Sequence, residues 1–146
     1  MFFGQYAIQI NNNKALTFPE HLENGLAGNV FITQGFDRNL VIMPEDAFRE
    51  QYKRATSINM ADPLARLFLR LFLGNAVLVQ LNKYRQMQLP ERLCDYAELS
   101  NEDTAVLVGQ GDHVEVWSKS YWDEQNIDLQ DAKANANRFA SLDLRL

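Results

Sequence analysis

The chain has 146 residues, 47% of them hydrophobic, so it suits one compact domain or two half-domains sharing a core, and wholesale disorder is excluded. Its net charge of −5 argues at first against nucleic-acid binding, but residues 56–90 carry +3 and residues 91–146 carry −7, which leaves room for a local cationic site. The apolar runs are too short to predict a membrane span, and the N-terminus has no basic residues before its apolar ones, so no signal peptide is predicted. The single cysteine, Cys94, excludes an internal disulfide and suits a reducing cytosol.

The first predicted elements are two short strands joined by an Asn-rich turn. Residues 5–10, QYAIQI, alternate apolar and polar side chains with period two, which is typical of a half-buried strand. Asn11–Asn13 form the turn, because Asn tolerates left-handed backbone and bonds its own main chain. A second strand around Leu16 and Phe18 ends at Pro19, after which we expect a short helix.

A second hairpin and a helix follow in the same copy. VFIT and NLVIM flank Gly35, and we predict a turn there with positive φ at the glycine. Pro44 is predicted to be the first residue of the next helix. The corresponding turn further along the chain, between TAVLV and HVEVW, is predicted at Gly111.

The segment at 61–76, ADPLARLFLRLFLGNA, predicts a connecting helix. Asp62 is its expected N-cap and Pro63 its first residue. Arg66 and Arg70 follow Asp62 along one face of the helix. The remaining residues are apolar over a wide arc, so we expect a buried helix whose arginines pair with carboxylates, as structural ion pairs of Asp62, Arg66 and Arg70 at a subunit boundary.

Residues 81–91, LNKYRQMQLPE, repeat the pattern of residues 10–20, INNNKALTFPE. The alignment pairs Asn11 with Asn82, Lys14 with Arg85, Leu16 with Met87, Pro19 with Pro90 and Glu20 with Glu91. Agreement of several segments in the same order indicates an internal duplication; the alternative is two ordinary hairpins that look alike.

After the second copy, Ser118 is a candidate helix N-cap. The tail from Asn126 to Leu146 either forms a helix that packs on a neighbouring subunit or is mostly disordered.

These features resemble two related protein classes. A strand, a polar loop and a proline after alternating apolar residues resemble the AbrB-type swapped-hairpin DNA-binding element. Two tandem copies joined by a D-P-x-x-R helix, here Asp62, Pro63 and Arg66, followed by Arg70 and Gly74, resemble the MraZ family. The opening MFFG and the later VGQGDHVEVWSKSYW fit the same family, and the likeness covers about residues 1–124.

The resemblance implies an α+β fold in which two AbrB-like swapped-hairpin half-barrels form one pseudo-two-fold β-barrel with helices outside. The implied divisions are a first repeat at 5–47, connecting helices at 48–75, a second repeat at 76–119 and a C-terminal helix or tail at 120–146. It also implies a bacterial transcriptional regulator of the division and cell-wall gene cluster, which binds short repeated sites in double-stranded DNA as a ring-shaped homo-oligomer. No cofactor, metal or small-molecule substrate is implied, and the location would be the cytoplasm, with the nucleoid.

The two loops depart from the family pattern, which runs D-x-K-G-R and then apolar, any, apolar, Pro. Ala15 and Gln86 stand at the arginine positions, and Lys14 and Arg85 at the glycine positions. In the second copy, Lys83 and Asn82 supply the lysine and the polar residue with a register ambiguity of one residue. Because a bidentate arginine contributes about 1–3 kcal/mol to guanine recognition, we expect altered preference and weaker binding.

The predicted DNA contacts combine cations for phosphates with amides for base edges or backbone. They are Asn12, Asn13, Lys14, Lys83, Tyr84, Arg85 and Gln86. The alternatives are a set of solvated turns without a partner, and a degenerate paralogue that keeps the oligomer but acts through protein partners. Catalysis is not predicted, because His21, His113 and Cys94 belong to no acid–base or nucleophile constellation.

Overall fold

A computed structural model describes residues 1–145 as a mixed α+β fold built mainly on antiparallel strands; Leu146, the last residue of the predicted tail, lies outside the described residues. The strands are β1 (Gln5–Gln9), β2 (Ala15–Thr17), β3 (Val30–Gln34), β4 (Leu40–Pro44), β5 (Val77–Val79), β6 (Gln86–Gln88), β7 (Thr104–Gly109) and β8 (Val114–Ser118). The helices are α1 (Glu20–Glu23), α2 (Glu45–Thr56), α3 (Pro63–Phe72), α4 (Glu91–Ala97), α5 (Lys119–Leu129) and α6 (Ala132–Arg138), with 3₁₀ turns at Asn24–Leu26 and Ala140–Leu142.

Six strands form one sheet in the order β1-β7-β8-β4-β3-β5, and β2 pairs with β6 in a separate two-stranded ladder. All of these pairs are antiparallel. The first strand of each sequence copy lies beside the third strand of the other, β1 beside β7 and β5 beside β3. The two copies therefore share one sheet and cannot be separated into independent domains.

The sheet is open, and the predicted barrel does not close among residues 1–145. Strands β1 and β5 are its two edges. The three-residue strands β2 and β6, which a closed barrel would join to this sheet, hydrogen-bond to each other instead. Closure requires a continuous ladder of strand pairs, and here the ladder is interrupted on both sides of β2–β6.

The main core lies between the sheet, the β2–β6 ladder and the short helices α1 and α4. Leu16 and Phe18 from the first copy meet Met87 and Leu89 from the second inside one cluster of buried residues. The period-two prediction is confirmed on β1, where Tyr6 and Ile8 are half-buried and their neighbours are exposed.

Two turn predictions had different outcomes. Gly111 has a φ of 85°, as expected, whereas positive φ at the β3–β4 turn belongs to Arg38, at 57°, and not to Gly35. Gly35 is needed there for another reason, because a Cβ atom at this position would clash with the side chain of Asn39. The prediction for Pro44 was also wrong, since Pro44 ends β4 opposite Val30 with a ψ of 155°, and α2 begins one residue later.

Helix α3 begins as predicted but is less buried than expected. The Asp62 side chain accepts a 2.9 Å hydrogen bond from the Leu64 amide, so the N-cap is confirmed. Leu64 and Leu67, however, are 71% and 60% exposed, because one stripe of the helix packs inward through Ala65 and Phe72. Residues 1–145 therefore leave an apolar face of α3 exposed.

The C-terminal segment is largely helical in the described part. The Ser118 hydroxyl accepts a hydrogen bond from the Tyr121 amide at the start of α5, which confirms the predicted cap. Trp122 packs edge-on against Trp117, and Arg138 of α6 pairs with Asp128 at 2.7 Å. Of the helices formed by residues 1–145, none combines the length and the apolar character that crossing a membrane requires.

Candidate nucleic-acid interface

The two predicted DNA-binding loops have the same backbone geometry. In each, an asparagine side-chain oxygen accepts hydrogen bonds from the amides two and four residues further on, and its carbonyl accepts a third from the amide three residues on. The side-chain acceptor is Asn11 for Asn13 and Ala15, at 2.9 and 3.0 Å, and Asn82 for Tyr84 and Gln86, both at 2.9 Å. The duplicated sequence thus folds into duplicated loops.

Left-handed backbone at the loop ends bears on the register of both loops. Lys14 has a φ of 54° and Arg85 a φ of 60°. A residue with a side chain is unfavourable in this conformation, which explains why glycine stands at this position in the family pattern. If the left-handed residues are aligned with the glycine of the family pattern, Ala15 and Gln86 fall at the arginine positions and Tyr84, not Lys83, falls at the lysine position of the second loop; this alignment stays a prediction.

The loops stand at the two ends of the β2–β6 ladder and are tied to it reciprocally. The Phe18 amide donates to the Arg85 carbonyl and the Leu89 amide donates to the Lys14 carbonyl, both at 2.8 Å. Phe18 is four positions after Lys14 in extended chain and is bonded to Arg85, so the loop ends lie roughly 13 Å apart along the strand direction. The main chain of each basic residue is thereby held by a hydrogen bond from the other copy.

The outward face of the ladder adds residues that the sequence reasoning missed. Leu16 and Met87 point into the core, so alternation turns Ala15, Thr17, Gln86 and Gln88 outward. Thr17 and Gln88 are exposed between the two loops. The period-two pattern that predicts Leu16 to be buried also predicts that its neighbour Thr17 faces outward. In the second copy the same pattern applies to Met87 and its neighbour Gln88.

The remaining predicted contacts lie on the loop surfaces. Asn12, Asn13, Lys83 and Tyr84 are exposed, and the Lys83 ammonium lies 5.0 Å from the centre of the Tyr84 ring. The Gln86 side-chain oxygen accepts a 3.2 Å hydrogen bond from the Asn82 amide group. The second loop therefore carries two cations and an aromatic ring, whereas the first carries Lys14 alone.

Two carboxylates contact the cationic loop ends. Glu91 lies 3.4 Å from the Lys14 ammonium, and Glu20 lies 3.9 Å from the Arg85 guanidinium. The alignment had paired Glu20 with Glu91 as repeated residues but had not placed them beside the loops. The Glu91 and Glu20 side chains are 81% and 88% exposed, so each pair contributes only about 0.2–1 kcal/mol.

Among residues 1–145, the connecting helix does not form its predicted ion pairs. Arg66 donates to the carbonyl oxygens of Met60 and Ala61, at 3.0 and 2.9 Å, so its guanidinium caps the preceding loop. Asp62 is occupied as the N-cap, and Arg70 is exposed. No salt bridge within residues 1–145 involves these three side chains; their pairing with another subunit stays a prediction.

The surroundings of Cys94, His21 and His113 differ from one another. Cys94 is buried, and its burial raises the pKa of the thiol to about 11, so it is a weak nucleophile at neutral pH. His21 contacts Tyr6, and His113 contacts Asp112. In the described part of the chain, no cluster of three or more His, Cys, Asp or Glu side chains is placed to hold a metal ion.

The family model and the relatives that match this chain carry the same family name. A family model described as "MraZ protein, putative antitoxin-like" matches residues 72–143. The chain is 32% identical to the "Transcriptional regulator MraZ" of Desulfitobacterium hafniense (strain Y51) over 136 residues, which cover 93% of this chain and 94% of that protein. It is 30% identical to the protein of the same name from Thermomicrobium roseum over 143 residues, 97% and 99% of the two chains.

Proposed function

The chain belongs to the MraZ family, whose curated relatives are named transcriptional regulators, and on this premise we propose that it binds double-stranded DNA through its two loops and the ladder between them. The observation that carries the proposal is the reciprocal tie of the loops, in which Lys14 and Arg85 are each bonded to the strand of the other copy. A rigid pair of loops with fixed separation suits a periodic target such as a DNA groove.

The division of labour follows from the side chains. Lys14, Lys83 and Arg85 contact phosphates, which supply affinity without sequence preference. The amides of Asn12, Asn13 and Gln86 contact base edges or backbone, since an amide matches adenine in the major groove. The outward residues Thr17 and Gln88 extend this surface across the ladder.

The two loops are not expected to contribute equally. Lys83, Tyr84 and Arg85 make the second loop more cationic and give it an aromatic surface, whereas Lys14 is the single cation of the first loop. We therefore expect most of the affinity to come from the second loop. Weak binding by each loop pair is offset when several copies of the chain engage repeated sites together.

The strand pairing and the exposed face of α3 support finer structural features that the family resemblance implies. Exchange of the first strands between the copies, β1 beside β7 and β5 beside β3, supports the AbrB-like swapped-hairpin interpretation and the repeats at 5–47 and 76–119. The exposed Leu64 and Leu67 on α3 support a homo-oligomer, in which a neighbouring subunit covers this face. The ring form, the control of division and cell-wall genes and the nucleoid location rest on the family resemblance.

Reversal of charge on the second loop tests the proposal. The variant Lys83→Glu/Arg85→Glu should lose binding to a fluorescein-labelled duplex from upstream of the chain's own gene, measured by anisotropy at several salt concentrations. Wild-type affinity should fall steeply with salt, with a slope of about −0.9 per phosphate contacted. The matched control is Lys53→Glu/Arg54→Glu on the exposed face of α2, which changes the same charge away from the loops.

The outcome of this test is read together with the size of the assembly. Binding that survives in the loop variant would exclude the loops as the site. Loss of binding together with a smaller assembly would indicate disrupted folding, so light scattering accompanies each titration.

A second candidate function is that of a scaffold that has lost DNA contact and acts through protein partners. Ala15 and Gln86 at the arginine positions and the carboxylates beside Lys14 and Arg85 favour it. It predicts no saturable binding of wild-type protein to the upstream duplex even at low salt, with an intact oligomer.

A further inference from the structure

We propose that Glu20 and Glu91 act as intramolecular competitors for DNA phosphate at the loop ends, and so set the DNA affinity of this chain. This inference rests on the proposed function and concerns the same site. It assigns a role to two residues outside the predicted contact set, and it makes the weak affinity of the loops a consequence of two specific side chains.

The arrangement of the two pairs carries the inference. Glu91 opens α4 in the second copy and contacts Lys14 of the first, while Glu20 opens α1 in the first copy and contacts Arg85 of the second. The partners are repeated positions, since both the glutamates and the cations are separated by 71 residues. The two pairs therefore join equivalent positions, with Lys14 hydrogen-bonded to Glu91 at 3.4 Å and Arg85 within 3.9 Å of Glu20. Each copy partly neutralises the loop of the other.

The main chain of both cationic residues is held in place close to these carboxylates. The carbonyl oxygens of Lys14 and Arg85 are bonded to the strands of the opposite copies, and both residues have left-handed backbone. The Lys14 amide is also held by the Asn101 side chain at 3.1 Å. A phosphate that approaches Lys14 therefore meets a cation already beside Glu91, and the carboxylate must turn away or remain close to another negative charge.

The glutamates, in contrast, are free to move. Their side chains are 81% and 88% exposed, and neither makes an additional ion pair within residues 1–145. They therefore compete reversibly with phosphate and do not block the site. An exposed pair of this kind changes an equilibrium constant by between about 1.5-fold and 5-fold, so two pairs together reduce affinity by between about 2-fold and 30-fold.

The test is a pair of charge-neutralising variants with equal change in net charge. Glu20→Gln/Glu91→Gln removes both competitors, and Glu23→Gln/Asp95→Asn removes two carboxylates from the same helices, α1 and α4, that make no ion pair with the loops. Anisotropy titrations use the fluorescein-labelled duplex from upstream of the chain's own gene. The first variant should bind between about 2-fold and 30-fold more tightly than wild type, and the second should show a clearly smaller gain.

A double-mutant comparison separates the specific contact from a general change of charge. Lys14→Met removes the cation that Glu91 contacts, so Glu91→Gln in that background should give little of the gain that it gives in the wild type. An equal gain in both backgrounds, or an equal gain from the control variant, would overturn the inference. Because none of the side chains replaced is buried in the core, thermal unfolding should confirm that all variants remain folded.

The results also separate this inference from the proposed function. If wild type and the Glu→Gln variant bind DNA with equal affinity, the competition is contradicted and the DNA-binding proposal stands. If neither wild type nor the Glu→Gln variant binds DNA, the competition and the DNA-binding proposal are both contradicted. Binding that appears only in the Glu→Gln variant supports the competition but counts against DNA binding by the wild-type chain.

Discussion

Leu16 lies directly opposite Met87 in the β2–β6 ladder, and neither side chain is exposed to solvent. The two residues hold the same position in the two sequence copies, so the ladder is the place where equivalent parts of the copies meet. The loop ends follow immediately on either side, at Lys14 and Arg85. Packing at this contact therefore supports both the shared core and the spacing of the candidate interface.

Replacement of Leu16 by Ala should destabilise the protein by about 2–5 kcal/mol, because it leaves a cavity between the copies. Guanidinium-induced unfolding followed by circular dichroism measures the change. Thr17→Ala is the control on the same strand, where the side chain is exposed and we expect a change within about 0.5 kcal/mol. Similar values for the two variants would mean that the ladder is not a packed part of the core.

Local features of the fold were predictable from sequence, and features that depend on distant contacts were less so. The loops after Asn11 and Asn82 and the cap at Asp62 form from hydrogen bonds within four residues, so the sequence pattern was sufficient. The turn at Gly35 is an exception among the local features, because the positive φ predicted for Gly35 belongs to Arg38, although Asn39, which approaches Gly35, is only four residues away.

The prediction of barrel closure failed for a similar reason. Period two indicates that a segment is a strand but leaves its hydrogen-bonding partner undetermined, and β2 and β6 pair with each other. The positions of Glu20 and Glu91 beside the loops likewise depend on the pairing of β2 with β6, which no local pattern reveals.

Restoration of the family arginines should strengthen DNA binding. Ala15 and Gln86 lie on the outward face of the ladder, so Ala15→Arg and Gln86→Arg should each add about 1–3 kcal/mol of preference for sites with a correctly placed guanine. Competition titrations with duplexes of different sequence measure this preference. The control is Ala7→Arg on the exposed side of β1, which adds the same charge elsewhere, and an equal gain from it would mean that only net charge matters.

Asp62 has a capping role that can be separated from any ion pair with another subunit. Asp62→Ala should lower the free energy of unfolding by about 0.5–2 kcal/mol, because the Leu64 amide loses its acceptor. Asp62→Asn keeps an acceptor and should be nearly neutral in urea unfolding. If Asp62 also pairs with a neighbouring subunit, Asp62→Asn should still reduce the assembly size measured by light scattering.

The uncovered face of α3 should determine self-association. Leu64→Lys/Leu67→Lys places two charges on a face that is exposed in one chain, so a smaller assembly is expected in size-exclusion chromatography with light scattering. Ile127→Lys on α5, another exposed apolar position, is the control and should leave the assembly unchanged. An unchanged mass in the α3 variant would place the subunit contact elsewhere.

Cys94 should make stability depend on pH in the alkaline range. Burial raises the pKa of its thiol from 9.0 to about 11, so the folded protein holds the proton more tightly than the unfolded chain. The resulting stabilisation is fully present below about pH 9 and is lost as the pH rises through about 11. A pKa difference of about two units corresponds to at most about 2–3 kcal/mol of the free energy of unfolding.

The measurement compares wild type with Cys94→Ala, because other groups titrate in the same range and their effects cancel in the difference. Urea unfolding at several pH values should show the advantage of wild type over the variant shrinking between about pH 9 and 11. A difference that stays constant over this range would mean that the thiol reaches water in the folded state. In that case Cys94 would also react rapidly with iodoacetamide in the native protein, whereas a buried protonated thiol reacts only after unfolding.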